Sequence, residues 1–339
     1  MSSDGPSHAG SAGTTPSMLD RLALSNIANC DVFTGHGIPT YWGRLYGGQA
    51  VAQSLMAAQA TLPNADLSVH SLHGYFILAG NPAIPILYDV ERVRDGASFA
   101  TRMVKALQAN RTIFTMLVSF HRDERGPSYQ VPVREIRAML PGSQRKGGGG
   151  APAWRAGHET PTPEMLLRAG VEMEQHNGSS WLSILPVAEG DRWTLKWFRY
   201  EHRDAATPLT RAQEAAVLAY LSDMQCVRTV KQPHVRKAGV TGLPGDDVFS
   251  MCISLDHSIF FHRRVDPTRW LLCFCETSTS SGARGLATTT VFQEPGVLVA
   301  TITQEAMVRV PRDWSEEEEE VVVEEEDAVG GEGAAKSKL

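Results

Sequence analysis

Gly47-Gly48-Gln49-Ala50-Val51-Ala52-Gln53-Ser54-Leu55-Met56-Ala57-Ala58-Gln59-Ala60-Thr61-Leu62 decides how the first half of this chain reads. Val51, Leu55, Ala58 and Leu62 fall at i, i+4, i+7 and i+11, one face of a buried helix, and Pro63-Asn64 stops it. The period then changes to two. Val69 to Leu78, Pro85 to Arg94, Ser98 to Leu107 and Thr112 to His121 alternate or run apolar with β-branched and aromatic content, and Asp95-Gly96 and Ala109-Asn110 punctuate them as hairpin turns. Residues 18–121 therefore read as one long helix followed by an antiparallel meander.

The second half repeats the plan. A helix is predicted from about Leu209 to Met224, then strands at Val248 to Ser254, Trp270 to Thr277, Ala283 to Phe292 and Val297 to Val308. Laying His73-Gly74-Tyr75-Phe76 on His257-Ser258-Ile259-Phe260 also lays Ile113 on Val297 and Val118 on Ile302, without a gap. Shared order and spacing point to a duplicated α+β unit, each copy a helix wrapped by a curved antiparallel sheet, which is a double hotdog. The predicted organisation is a disordered extension over 1–17, a first repeat over 18–121 and a flexible linker containing Gly147 to Gly150 over 122–169. A second repeat follows over 170–312, and an acidic tail over 313–339.

Composition narrows the classes. At about 150 residues per domain, 339 residues suggest two domains with ordinary cores. With 42% hydrophobic and 21% charged residues, the chain has the mix of a soluble globular protein rather than a disordered one. No apolar run reaches the roughly 18 to 20 residues of a membrane span, and Met1 to Ser17 has no apolar signal core. The net charge of −6 is local in origin: Asp313 to Leu339 holds eleven acidic residues and two lysines, a charge of −9, which leaves the body at +3. That body suits an anionic small molecule, while no basic run interleaved with aromatics suggests nucleic acid. The five cysteines are odd in number and lack metal spacing, so they read as reduced core thiols, and no cofactor or metal is expected.

The sequence holds no Walker loop, no G-x-G-x-x-G after a strand, no H-E-x-x-H and no G-x-S-x-G elbow. Any chemistry must come from polar residues set into apolar elements. Asp223 shares the stripe of Ala216, Ala219 and Tyr220, and a carboxylate there costs several kcal/mol unless hydrogen-bonded. Gln304 continues the inward face of Leu298, Ala300 and Ile302, and Ser254 ends a strand on the face of Cys252. Each has a plainer reading: Asp223 as a solvated residue past a helix that ends near Ser222, Gln304 as a strand-end amide in water, Ser254 as a satisfied core hydroxyl. Together the three could hold one water, with the carboxylate taking its proton as it attacks a carbonyl. The helix start at Gly47-Gly48 could offer backbone N–H groups, Gly48 among them, to a developing oxyanion. His73 is a candidate substrate contact because histidine as a residue type suits acid–base work near neutral pH, but its match in the second copy is His257, which points to a shared role at the helix–sheet contact.

At these residues the chain resembles the acyl-CoA thioesterase II family of double-hotdog hydrolases. The resemblance runs through Tyr46-Gly47-Gly48-Gln49, His70-Ser71-Leu72-His73, Arg94-Asp95-Gly96, Leu221-Ser222-Asp223, Leu255-Asp256-His257-Ser258, Gly296-Val297-Leu298-Val299-Ala300 and Gln304-Glu305. It implies hydrolysis of fatty acyl-CoA to free acid and CoA, with Asp223, Ser254 and Gln304 positioning the water. Ser254 stands where the family usually has Thr, and Ala79-Gly80-Asn81-Pro82 where it tends to have Arg-Pro-Gly. A hotdog enoyl-CoA hydratase and a non-catalytic acyl-CoA binding protein are the competing readings; the former would want a His/Asp pair at the helix. The chain ends Ser337-Lys338-Leu339, the carboxy-terminal triplet read by the peroxisomal import receptor, so a peroxisomal matrix location is expected. Hotdog sheets pair across repeats or subunits, which admits a homodimer of chains.

Overall fold

The computed structural model describes residues 17–130 and 162–311, apart from 175, 177–179, 205, 238–248 and 294–295. The expectations for Met1 to Pro16, for Gly147 to Gly150 and for the acidic tail with Ser337-Lys338-Leu339 lie outside those residues. The first repeat runs α1 (Met18–Leu22), β1 (Ser25–Asn26), β2 (Val32–Gly35), α2 (Gly47–Ala60), β3 (Leu67–Phe76), β4 (Ile86–Asp95), β5 (Phe99–Gln108) and β6 (Arg111–Arg122). The second runs α3 (Pro163–Arg168), β7 (Leu182–Glu189), β8 (Trp193–Tyr200), α4 (Arg211–Leu221), α5 (Cys226–Lys237) and β9 (Met251–Ser254). It continues with β10 (Asp256–Phe261), β11 (Leu271–Ser281), β12 (Arg284–Gln293) and β13 (Val297–Arg309).

The strands form one antiparallel sheet in the order β1-β2-β4-β5-β6-β3-β10-β13-β12-β11-β8-β7, with β9 against the far end of β13. Helix α2 lies between its own sheet and α4. Val51, Leu55 and Ala58 are fully buried as the spacing predicts, but so are Ala52 and Ala57, because two layers cover the helix rather than one. The architecture is the double hotdog. Among the described residues no helix is long and apolar enough to cross a membrane.

Several elements carry no readable period. In β8 every residue from Trp193 to Phe198 is buried without alternation, since both faces of this strand are covered. Helix α3 lies inside the stretch read as linker. Thr162 caps it by accepting from Met165 N–H at 3.4 Å, with Pro163 at the first helical position.

Sheet register establishes the duplication and corrects its alignment. The bulge between Arg92 and Arg94 recurs between Thr277 and Thr279, and the one between Ala106 and Leu107 recurs between Val291 and Phe292. Both recur one position later than the match of His73 to His257 requires. Beyond the last hairpin the displacement grows by one more, because Gln108 and Arg111 pair across a two-residue loop while Gln293 and Val297 pair across three. The expected superposition of His73 on His257 is therefore overturned. His73 corresponds to Ser258, its own partner across the β3–β10 seam that joins the two repeats, and His257 corresponds to Leu72. A one-residue slip moves a side chain to the opposite face of a sheet, and the burial agrees: His73 is exposed, whereas Leu72 and His257 are fully buried.

Candidate active site

The start of α2 meets the end of α4 almost backbone to backbone. Tyr46 O–H donates to Tyr220 C=O at 2.9 Å, and a Cβ on Gly48 would lie 2.4 Å from that same carbonyl oxygen. A Cβ on Gly47 would lie 2.6 Å from Asp223 Oδ2. The paired glycines are thus required for this approach. Helix α4 ends at Leu221 with Ser222 as its cap, so Asp223 sits in the turn before α5, yet it faces protein. Gly48 N–H donates to its Oδ2 at 2.9 Å.

Ser254 and Gln304 come from adjacent strands. Ser254 closes β9 opposite Ala306, and Gln304 lies two residues earlier on the same face of β13. Gln304 Nε2–H donates to Ser254 Oγ at 2.7 Å, and Ser254 O–H donates to Asp223 Oδ1 at 3.2 Å. Gln304 is fully buried, so its plainer reading as a strand-end amide in water is excluded. The structure brings the three sequence-predicted residues into one connected group.

His257 extends the group, and the sequence reading placed it wrongly. Its Nδ1 bonds Gln304 Oε1 and its Nε2 lies 2.7 Å from Ser222 Oγ. An amide oxygen only accepts, so the proton of this imidazole is on Nδ1. Burial holds the His257 pKa below its ordinary value, so the ring is neutral at pH 7, and the single Ser222 O–H proton is shared between Nε2 and Ala219 C=O, which lies 2.8 Å from the same oxygen. Every donor in the series His257, Gln304, Ser254 then points toward Asp223. Burial raises the pKa of that carboxyl, and the nearby imidazole and the hydrogen bonds offset part of the rise. A histidine one position out of register with His73 was the available signal, and the match of the two by letter concealed it.

Two expected contacts are placed elsewhere. Gly48 N–H is taken up by Asp223 rather than presented to a substrate oxygen. The adjoining first-turn donor, Gly47 N–H, has no acceptor among the described residues. His73 lies on the outer face of the sheet, with Nδ1 3.0 Å from Ser258 Oγ and its ring against Phe260, so it does not reach the site.

The first repeat has no such group. Thr61 and Ser222 each bond the carbonyl three residues earlier, at Ala58 and Ala219, which equates Thr61 with Ser222 at the two helix ends. Asp223 then corresponds to Leu62, Ser254 to Val69, His257 to Leu72 and Gln304 to Val118. All four counterparts are apolar.

Comparison with known proteins fits this geometry. Residues 38–121 match the family model for the acyl-CoA thioesterase N-terminal domain, and residues 151–308 that for the C-terminal domain. The chain is 30% identical over 304 residues to acyl-CoA thioesterase 2 of Haemophilus influenzae, covering 86% of this chain and 96% of that protein. It is 30% identical over 339 residues to human acyl-coenzyme A thioesterase 8, covering 91% and 95%. A stretch of 75 residues, 22% of this chain and 21% of the relative, is 40% identical to the peroxisomal acyl-coenzyme A thioester hydrolase 1 of Saccharomyces cerevisiae. Among solved structures, the acyl-CoA thioesterase II TesB2 of Mycobacterium marinum superposes with a TM-score of 0.62 at 26% identity, over 87% of this chain and 97% of that one.

Proposed function

The chain belongs to the acyl-CoA thioesterase family and hydrolyses acyl-CoA thioesters; from that premise we propose that Asp223, Ser254 and Gln304 activate the water, with His257 as a positioning residue. The observation that carries this reading is the one-way series of donors ending on Asp223. Each carboxylate oxygen accepts one protein hydrogen bond and keeps a lone pair for water. Asp223 takes a proton from that water as its oxygen bonds to the thioester carbonyl carbon. The carbonyl oxygen becomes an oxyanion beside Gly47 N–H, at the helix end that favours negative charge. Collapse of the intermediate breaks the C–S bond, and the thiolate leaves as CoA with the proton returned by Asp223.

The hydratase alternative needs a histidine able to give or take a substrate proton. Both ring nitrogens of His257 are already engaged within the protein, which supports hydrolysis instead. Import into the peroxisome through Ser337-Lys338-Leu339 completes the proposal, supported by that triplet and by the name of the yeast relative.

Thiol release from palmitoyl-CoA, followed with a thiol-reactive dye, tests the site. Asp223→Asn is expected to lose about 10²- to 10⁴-fold in kcat, the range for removing a general base, and Ser254→Thr to retain activity because the hydroxyl remains. Turnover by Asp223→Asn equal to that of the unsubstituted protein would remove the proposal. Relocation of a fluorescent fusion to the cytosol on deletion of the last three residues tests the address.

A further inference from the structure

The counterpart of the active site in the first repeat has lost its polar group but not its space. Where the end of α2 meets the start of α4 there is an open cleft of about 720 Å³, within the roughly 300–1,000 Å³ of small-molecule sites. Leu62 and Val69, the counterparts of Asp223 and Ser254, both line it. So does Phe261, the counterpart in sheet register of Phe76, whose ring packs over Gly47 at the catalytic end. The cleft is therefore related to the active site by the internal symmetry of the chain.

Its chemistry differs in two ways. The start of α4 is closed off: Thr210 and Gln213 form a reciprocal capping box, and Glu214 in the first turn holds Arg264 at 2.7 and 2.8 Å. No carboxylate stands at Leu62, so this end cannot run the hydrolysis. The mouth, in contrast, carries three arginines, Arg211, Arg263 and Arg264, beside Asp123, Glu124 and Glu214, and Arg264 is held by Glu214. Arg211 is paired with Asp123 at 2.6 Å, but Arg263 bonds only Leu298 C=O at 2.8 Å and Ser128 Oγ at 3.1 Å and has no carboxylate partner among the described residues. His70 and His121 line the same cleft.

We propose that this cleft is a second, non-hydrolytic binding site for an anionic amphiphile, its long apolar chain against Leu62, Val69 and Phe261 and its anionic head at Arg263. The ligands with this chemistry nearest to hand are the fatty carboxylate that the reaction releases and the acyl-CoA that it consumes. CoA alone has no chain to place against Leu62, Val69 and Phe261.

Equilibrium dialysis of the full chain with palmityl-CoA thioether, which cannot be hydrolysed, with palmitate and with CoA tests this. The unsubstituted protein is expected to bind two equivalents of the thioether per chain. Ala212→Phe, which places a ring in the cleft, and Arg263→Glu, which reverses the charge of that side chain, are each expected to bind one, or to weaken the second by at least tenfold. Having two variants keeps the test decisive if one fails to fold. Palmitate binding that falls in both identifies the free acid as ligand; a response of the thioether alone identifies acyl-CoA. One equivalent in the unsubstituted protein, two retained by both variants, or filling of the second site by CoA alone would each overturn the proposal. Hydrolysis by the unsubstituted protein and by Asp223→Asn is scored separately, so the catalytic assignment and this one can fail independently.

Discussion

His257 and Gln304 are bonded in one orientation only, ring Nδ1–H to amide oxygen, and this fixes the amide nitrogen on the side of Ser254. Replacing His257 with leucine, the residue at its counterpart Leu72, removes that constraint without leaving a void. Gln304 can then turn over and present its oxygen to Ser254. A lost buried hydrogen bond of about 1–3 kcal/mol corresponds to roughly 10- to 100-fold in kcat, with KM unchanged because His257 touches no substrate. His257→Asn, whose side-chain nitrogen can replace Nδ1 as donor, should recover part of the loss. Equal losses in both variants would mean that the ring only packs.

The pH dependence follows from burial of Asp223, which raises its pKa above the ordinary carboxylate value. Hydrolysis needs the ionised form, so the acid limb of the kcat–pH profile is expected above the range of an exposed aspartate. A raised carboxyl pKa in the folded state favours the protonated form, so its stabilising effect is present at low pH and is lost as pH rises through the folded value. The unsubstituted protein should accordingly gain stability relative to Asp223→Asn as pH falls, read from urea midpoints at a series of pH values. A constant difference between the two would contradict the assignment.

Gly48→Ala tests the close approach of the two helices. Its Cβ would meet Tyr220 C=O at 2.4 Å and the Tyr46 ring at 2.6 Å, and a backbone carbonyl cannot rotate away. The start of α2 must move off Asp223, on the order of an ångström, which is the scale that costs about 100-fold in rate. The expected result is loss of kcat with a lowered thermal midpoint.

Arg102 is fully buried against the end of α2, donating to Thr61 Oγ1 at 2.7 Å, to Thr61 C=O at 3.0 Å and to Asp95 at 2.5 Å. Arg102→Ala leaves these acceptors unpaired, and a destabilisation near the lower end of about 3–5 kcal/mol is expected because Asp95 is partly exposed to water. Urea unfolding followed by circular dichroism measures it. The cleft beside Leu62 should lose ligand at the same time, since the end of α2 forms one wall.

Much of this molecule could be read before it was seen, and the boundary has physical causes. The meander of the first repeat alternates because one face is core and one is not, and the two-residue turn at Ala109-Asn110 is present with positive φ at both residues. β7 and β8 are covered on both faces and lost the alternation that would have marked them. Asp223, Ser254 and Gln304 were legible as polar residues on apolar faces. His257 was not, because it matches His73 by letter while the register of the sheet sets it on Leu72. In a structure with period two, that single step is the difference between the outer surface and the interior.

The seam between β3 and β10 puts two similar units into one polypeptide. In a symmetric pair of identical chains every substitution appears twice, so an aspartate, a serine, a histidine and a glutamine gained at one end are gained at the other, as are any losses. Fusion lifts that obligation. Val118 and Gln304 occupy twin positions and answer to separate codons, which lets one end of the molecule commit to bond breaking while the other is free to keep its hollow for a different use.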